Sequence, residues 1–499
     1  MSLKAQALQG TFWSAVEKFS LMGVQFLLQI VLARLLTPTD YGIVGILAVF
    51  LAIARAFIDC GFTSALVQNQ KRTEEDFSTA FYFNVVISTV FYVFLFITAP
   101  YIAQFYKMPI LVPVTRVLTL SLPISALAAV NRTKLQIAVD FKTQMHASLS
   151  SVILSGVIGI ILAYRGFGVW ALVVQSVLSA MFNTVLLFYL VKWKPLLCFS
   201  INSFKRMFGY GSKLLAASLL DVLYFNMYPL VIGKLFSAAD LGLYSRASGF
   251  AHLPPDLTSG IVSRVTFPVF SQIQNDMQRL FSVYKKYLII LASIYAPLVL
   301  GLCAIAKPLL LTLIGEKWTG AVILLQILCI ASVADCLIHV NLNLLFVKGY
   351  TGAVLKLNII KRMISFSILI VSLPFGIKGL CIGQVFYGQI ALFLNTYYTK
   401  KILNLGYWEQ IKAVLPPYSV AFISVLPAFG ITFLPISSFW QLVFGISSAV
   451  VVYLFITYWL KFDIWKEAIS FYKQTKMKSI LLEKLSNRFV PFLKGAGDD

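Results

Sequence analysis

The fold is decided near the amino terminus by two apolar segments, GTFWSAVEKFSLMGVQFLLQIVLARLL at 10–36 and YGIVGILAVFLAIARAFIDCGFTSAL at 41–66. Only TPTD, residues 37–40, separates them. A helix needs about 20 mostly apolar residues to cross the hydrocarbon core of a bilayer. A transmembrane β-strand would instead be a run of about 10 residues with alternating polarity. The two segments therefore predict two membrane-spanning helices joined by a short turn.

The rest of the chain repeats this pattern. Of its 499 residues, 59% are hydrophobic and 12% are charged, and the mean hydropathy is +0.85. A soluble protein carries roughly 25% charged residues, so the bilayer must be the solvent for most of this chain. We predict an all-α polytopic membrane protein with about 14 transmembrane helices. The expected spans are 10–36, 41–66, 77–103, 110–138, 147–164, 168–191, 208–236, 241–270, 286–313, 320–347, 353–374, 377–399, 414–434 and 440–460.

The charge balance indicates the orientation of these spans. The chain has 41 Lys and Arg against 19 Asp and Glu, a formal net charge of +22. Cytoplasmic loops of membrane proteins collect Lys and Arg, and here the even-numbered loops carry about twice as many as the odd-numbered loops. Both termini are therefore expected in the cytoplasm. The positive charge is explained without nucleic acid, which we do not expect as a partner.

A short internal repeat divides the chain. Residues 34–45 read RLLTPTDYGIVG and residues 234–245 read KLFSAADLGLYS, each just after the first long span of a half. Two halves of six spans each would be parallel repeats. The expected organisation is an N-lobe of six spans at 1–191, a cytoplasmic linker at 192–207, a C-lobe of six spans at 208–400, two extra helices at 401–460, and a basic amphipathic cytoplasmic tail at 461–499.

Charged side chains inside spans are costly in a bilayer and therefore mark candidate sites. The cations of the first, second and eighth spans would line a shared cavity if the halves face each other: Lys18, Arg55, Arg246 and Arg264. Arginine binds phosphate oxygens in pairs and lysine acts as a point charge, so this cavity would suit a diphosphate. Structural alternatives remain open, because each cation could also lie at a membrane interface or, for Arg55, pair with Asp59.

A second group of ionisable residues in the spans consists of Asp59, Asp221, Asp335 and His339. Asp335 and His339 are four residues apart on one helical face, as are Arg55 and Asp59. Since histidine titrates near neutral pH, Asp335 and His339 could respond to a proton or a cation. A buried structural pair is the alternative interpretation.

Patterns typical of enzymes are absent from the sequence. It contains no phosphate-cradling glycine loop and no nucleophile elbow. The six cysteines and three histidines are scattered without the spacing of a metal site. We expect no catalytic residue, no metal and no cofactor.

Four segments carry a resemblance that covers nearly the whole chain. They are the opening at 10–50, which contains ARLLTPTDYG at 33–42, then DCGFTSALVQ at 59–68, LGLYSRA at 241–247 and VTFPVFSQIQND at 265–276. In order and spacing they resemble bacterial polysaccharide exporters of the MOP superfamily. The most similar group is the oligosaccharide flippases of the O-antigen, colanic acid and teichuronic acid type.

This resemblance implies two six-helix lobes in a V shape, working by alternating access in a bacterial inner membrane. It implies an undecaprenyl-diphosphate-linked oligosaccharide as cargo, with the diphosphate held by cavity cations at the positions of Lys18, Arg55 and Arg264. Membrane lipids and a polymerase or export machinery would be the partners in making O-antigen, capsule or exopolysaccharide. The alternatives are a cation-coupled multidrug exporter of the same superfamily and a membrane polysaccharide polymerase, which the short outer loops disfavour.

Overall fold

The computed structural model describes the backbone of residues 3–460 and 462, and their side chains except at 3–8, 11 and 259–265. Residues 3–460 form nineteen α-helices and no β-strand, which confirms the all-α prediction. The expected amphipathic tail at 461–499 lies outside the described residues, apart from Phe462.

The helices follow one another with short connections. They are α1 (Leu3–Leu35), α2 (Pro38–Asp59), α3 (Phe62–Gln68), α4 (Glu74–Tyr106), α5 (Leu111–Leu118), α6 (Ser121–Ile137), α7 (Phe141–Tyr164), α8 (Val169–Val191), α9 (Ile201–Leu235), α10 (Ala238–Ala251), α11 (Leu253–Gln272), α12 (Met277–Ala304), α13 (Ala306–Leu313), α14 (Gly320–Ser332), α15 (Asp335–Val347), α16 (Thr351–Ser372), α17 (Gly376–Leu403), α18 (Tyr407–Ile431) and α19 (Ser438–Trp459). Two short 3-10 helices, Glu316–Trp318 and Leu373–Phe375, complete the order.

Twelve stretches of described helix are long and apolar enough to cross a membrane. One of them, Thr351–Leu403, holds both α16 and α17 and so accounts for two of the predicted spans. The predicted span at 241–270, where the structure has α10 and α11, is not among them. The segment is broken at His252 between α10 and α11, and Pro254 and Pro255 lie in the first turn of α11, a position that proline favours.

The chain forms two compact units. The first comprises the residues up to Ser248 together with Leu313–Leu324 and Leu373–Gly379. The second comprises Gly249–Thr312, Leu325–Ser372 and the described residues from Leu380 onward. The lobe boundaries expected from the sequence stay a prediction.

In the first unit, α9 packs along α2 and α3. Cys60 and Gly61 have φ values of 40° and 67°, which turn the chain sharply between α2 and α3. Gly211 of α9 approaches the Cys60 carbonyl so closely that a Cβ would not fit. Phe62 then stacks on Phe83 at 4.6 Å between ring centroids. The turn and the glycine together bring α9 into the core of this unit.

The two copies of the repeat have the same helix cap. The Thr37 hydroxyl donates to Asp40 Oδ2 at 2.7 Å, and the Asp40 amide donates back to Thr37 Oγ1 at 3.3 Å. Ser237 and Asp240 repeat the arrangement at 2.7 and 3.0 Å. Each reciprocal pair satisfies amides that the helix start leaves without an intrahelical partner. The aspartate that recurs in the repeat is thus the first-turn acid of α2 and of α10.

The segment before α9 is attached to the start of α4. Trp193 donates its indole N–H to Glu74 Oε2 at 2.7 Å, and Lys134 of α6 contacts Glu74 Oε1 at 2.7 Å. The amide of Leu196 donates to the Ser78 hydroxyl at 2.9 Å. These bonds fix the course of residues 192–200 on the first unit.

In the second unit, Asn341 of α15 is the centre of a buried polar network. Its Oδ1 accepts hydrogen bonds from Tyr284 at 3.0 Å, from Gln410 at 3.0 Å and from Thr399. Its amide nitrogen donates to Gln410 Oε1 at 2.9 Å and to the Leu337 carbonyl at 2.7 Å. The network joins α12, α15, α17 and α18, so α18 is tied to its neighbours by polar contacts as well as by packing.

Candidate functional site

A polar cavity of about 600 Å³ lies inside the first unit, among α1, α2, α4, α6, α7 and α8. Its wall carries two arginines, one carboxylate and several amides and hydroxyls, of which those used below are Arg55, Asp59, Asn84, Arg132 and Asn183. A volume of this size is typical of a small-molecule site, for which about 300–1,000 Å³ is usual. Membrane-spanning helices surround the cavity. Its many polar side chains therefore require a ligand or water as a contact partner.

The two arginines of the cavity come from different helices. Arg55 lies on α2 and Arg132 on α6, and both side chains are exposed to the cavity. Within the described part of the chain, neither guanidinium has a hydrogen-bond or ion-pair partner. They lie close enough to interact electrostatically with each other. Arg132 also interacts electrostatically with the carboxylates of Glu17 and Asp59, so Arg55 is the less balanced of the two charges. A guanidinium without a hydrogen-bonded partner favours an anion.

Asp59 does not neutralise Arg55, although the two are four residues apart. Asp59 Oδ1 instead accepts a hydrogen bond from the Thr63 hydroxyl at 2.9 Å. No ion pair joins Arg55 and Asp59 among the residues that the structure describes. The interpretation of Arg55 as one member of a structural pair is therefore not supported.

Two asparagines of the cavity hold amide oxygens without a partner. Asn84 of α4 is only 3% exposed, and its Oδ1 accepts no hydrogen bond from any described residue. Asn183 of α8 also has a buried Oδ1 without a donor. Buried acceptors of this kind are rare in folded proteins because each costs about 1–3 kcal/mol.

Lys18 does not line this cavity, although the residue before it lies near the site. Glu17 is buried, accepts a hydrogen bond from Gln144 at 3.1 Å and lies within electrostatic range of Arg132. Consecutive helical residues point about 100° apart, so Lys18 is exposed on another face of α1.

The remaining predicted cations are elsewhere. Arg246 of α10 donates to Gln29 Oε1 at 3.1 Å and lies over the Tyr41 ring at 4.1 Å, outside this cavity. Arg264 belongs to α11, but its side chain lies outside the described residues. Of the four predicted cations, the structure thus places one in the cavity.

The second predicted group is not brought together at one place. Asp59 lines the cavity of the first unit, and Asp221 is half-buried on α9. Asp335 and His339 are half-buried on α15 of the second unit, where His339 interacts electrostatically with Asp256 and Lys361. Among the described residues, no group of three His, Cys, Asp or Glu side chains is arranged to hold a metal ion.

Arg132 is the functional candidate that sequence reasoning missed. It lies near the end of the predicted span 110–138, where an arginine is unusual. That rarity was the available signal. It could not show that Arg132 faces Arg55, because the two residues are 77 positions apart and meet only through helix packing.

Comparison with known proteins shows the family and the fold of the chain. The chain is 26% identical over 423 residues to the lipopolysaccharide biosynthesis protein WzxC of Escherichia coli strain K12, covering 83% of each chain. It is 27% identical over 309 residues to the succinoglycan biosynthesis transport protein ExoT of Rhizobium meliloti strain 1021, covering 62% of this chain and 63% of that one. Its fold matches the lipid II flippase MurJ in an inward closed conformation, with a TM-score of 0.70, 14% identity, and coverage of 90% of this chain and 99% of that one.

These findings confirm a multi-pass bacterial membrane protein related to transport proteins, and they confirm the resemblance to polysaccharide exporters. The family described as "Polysaccharide biosynthesis protein" matches residues 31–323, more than half of the chain. The matched region contains Arg55, Arg132 and both asparagines of the cavity. The chain therefore belongs to the polysaccharide biosynthesis protein family.

Proposed function

We propose that this protein flips an undecaprenyl-diphosphate-linked oligosaccharide across the bacterial inner membrane by alternating access. Both termini lie in the cytoplasm, as the distribution of Lys and Arg favours. The cargo would supply the synthesis of an O-antigen, capsule or exopolysaccharide, and a polymerase or export machinery would receive it on the outer side. The protein is a transporter and carries out no covalent chemistry.

One observation carries the proposal: Arg55 and Arg132 face a polar cavity within membrane-spanning helices, and neither guanidinium forms a hydrogen bond or an ion pair with a described residue. Two charges of one sign in such a place destabilise the empty protein. A diphosphate offers oxygens to both guanidiniums and removes this cost. Desolvating the diphosphate is the main barrier to crossing the bilayer, and the two arginines lower that barrier.

The polyprenyl tail needs no site of this kind. Its surface is as apolar as the lipid, so it can stay in the bilayer while the polar head moves through the protein. We therefore assign the cavity to the head group alone.

Charge removal tests the proposal. The variants Arg55→Gln and Arg132→Gln are each expected to reduce polysaccharide export by at least about tenfold, because each loses a charge-assisted contact to the diphosphate. The protein should still reach the membrane at the normal level. Arg165→Gln is the matched control, because Arg165 is exposed at the end of α7 and does not line the cavity. Normal export by both cavity variants would contradict the assignment.

The multidrug exporter is not favoured by the site. A cationic drug would need a cavity wall with net negative charge, but the wall has one carboxylate, that of Asp59, and two arginines. A polymerase is not favoured either, because the transport relative and the flippase-like fold both differ from an enzyme.

A further inference from the structure

Arg34 and Lys234 occupy equivalent positions in the two copies of the repeat and make equivalent contacts. Arg34 lies in the last turn of α1, and its Nε donates to the carbonyl of Leu313, the last residue of α13, at 2.7 Å. Lys234 lies in the last turn of α9, and its Nζ donates to the carbonyl of Phe105 in the last turn of α4. Because α1 and α4 come from the first half of the sequence and α9 and α13 from the second, each cation reaches from its own half to the other.

Both acceptors favour a cation. The last four carbonyls of a helix lack an intrahelical donor and form the negative end of the helix dipole, which a nearby lysine or arginine stabilises. Lys234 also lies over the Phe105 ring, with Nζ 3.6 Å from the ring centroid, and this cation–π contact adds to the attraction. A positive charge at each of the two positions therefore stabilises the contact between the halves.

An aromatic side chain covers the residue before each cation. The Trp318 indole donates to the carbonyl of Ala33 at 2.9 Å, and Trp318 is fully buried. Tyr106 is also buried and packs at the equivalent position of the second copy, where a Cβ on Gly233 would lie 3.5 Å from its ring. Trp318 follows α13 and Tyr106 ends α4, so each aromatic residue comes from the helix end that also supplies the acceptor of the neighbouring cation.

The two polar contacts can open without unfolding the protein. Arg34 and Lys234 are both exposed, so water can replace the carbonyls as their partners. Exposed contacts of charged side chains each contribute little, and two of them favour one arrangement of the helix ends without fixing it. Such contacts suit helix ends that separate and meet again in every transport cycle.

We propose that Arg34 and Lys234, with the carbonyls of Leu313 and Phe105, form a latch that holds these helix ends together on the outer side of the membrane. The inference rests on the proposed function, in which the amino terminus is cytoplasmic and the end of α1 therefore lies outside. Alternating access requires the outer side to be closed while cargo enters from the cytoplasm and to open for its release. The two contacts share no acceptor, so loss of one weakens the latch and loss of both removes it.

Hydroxyl-radical labelling of the purified full-length protein in nanodiscs tests the latch, with Trp318 as the reporter. The indole is fully buried while the latch is closed, so it reacts only when the helix ends separate. We expect the labelling rate of Trp318 to rise roughly threefold in Arg34→Gln and in Lys234→Gln. In the double variant it should rise about tenfold, because the free energies of contacts without a shared partner add.

Two controls separate opening of the latch from other causes. Lys107→Gln removes an exposed cation next to α4 whose side chain forms no hydrogen bond or ion pair with a described residue, so this variant should be labelled at the wild-type rate. Tyr284 is fully buried in the second unit, and its labelling should stay at the wild-type level in every variant. A parallel rise at Trp318 and Tyr284 would show global unfolding and would overturn the latch.

The outcomes separate the latch from the proposed function. A Trp318 labelling rate that stays at the wild-type value in the double variant would overturn the latch and leave the proposed function standing. Failure of the folded wild-type protein to bind undecaprenyl diphosphate in the same nanodiscs would overturn the proposed function, and the role of the latch in transport with it.

Discussion

Gly42 of α2 faces the backbone carbonyl of Ala238 at the start of α10, so closely that a Cβ on Gly42 would overlap that oxygen. The repeat-related residue Gly242 faces the carbonyl of Pro38 in the same way. Exchanging the two copies of the repeat converts one contact into the other. Only glycine permits so close an approach of two backbones, which explains why this residue recurs at the offset of 200.

A methyl group at either glycine should therefore destabilise the first unit. We expect Gly42→Ala and Gly242→Ala each to lower the free energy of unfolding by about 1–3 kcal/mol, the usual cost of overpacking. The measurement is the apparent melting temperature of the purified protein. Gly23→Ala in α1 is the control, since no atom lies within 4 Å of its added Cβ. Equal melting temperatures for all three variants would show that the helices separate there without cost.

Removing the Glu74 carboxylate should release the segment before α9. Glu74→Ala deletes the acceptor of Trp193 and the partner of Lys134. The global stability should change by less than about 1 kcal/mol because Glu74 is exposed. Local opening should become roughly fivefold more frequent. Trypsin cleavage after Lys192 measures this opening.

The neighbouring acid provides the control for that experiment. Glu75 is also exposed in the first turn of α4, but no contact to this segment is seen. Glu75→Ala should leave the cleavage rate unchanged. If both variants are cut at the wild-type rate, the contacts of Glu74 do not hold the segment.

The Asn341 network should contribute strongly to the second unit. Asn341→Leu removes the shared partner of Tyr284, Gln410 and Thr399, while Gln410 keeps its bond to the Leu405 carbonyl at 3.2 Å; each buried group left unsatisfied should cost about 1–3 kcal/mol. Tyr284→Phe removes only one hydroxyl and should cost about 1 kcal/mol. Thermal unfolding of the two variants should show this order, and the reverse order would contradict the role of Asn341 as the centre.

Replacing Asp59 should distinguish an anionic cargo from a cationic one. Its carboxylate shares the cavity with Arg55 and Arg132, so it repels a diphosphate. Asp59→Asn should therefore bind undecaprenyl diphosphate several-fold more tightly than the wild type. A cation-coupled exporter would instead lose its activity on this change. Weaker lipid binding by Asp59→Asn would count against the anion site.

The membrane helices could be predicted from the sequence because the lipid requires long apolar runs. Residues 10–36 and 41–66 match α1 and α2 with α3 closely. Residues 241–270 are the exception, because Arg246, Asp256 and Arg264 make this stretch less apolar than the twelve stretches of described helix that could cross a membrane.

The site was predictable only in part. Arg55 and Asp59 could be found because a charge in an apolar run is rare. Lys18 satisfied the same criterion, but the rotation of a helix by about 100° per residue puts it on another face of α1. Asn84 and Asn183 carry no charge and have no distinctive spacing. Their importance arises from missing partners, which only the packing of α4, α6 and α8 reveals.

The central claim is that this protein moves a lipid-linked oligosaccharide from the cytoplasmic to the outer leaflet. The most direct measurement is the leaflet in which the intact undecaprenyl-linked repeat unit resides in a bacterial strain that lacks the protein. We predict that the unit accumulates in the cytoplasmic leaflet, and that the wild-type protein but not Arg55→Gln restores its transfer. If the unit still reaches the outer leaflet and only the polymer is missing, the protein acts after translocation and the account is wrong.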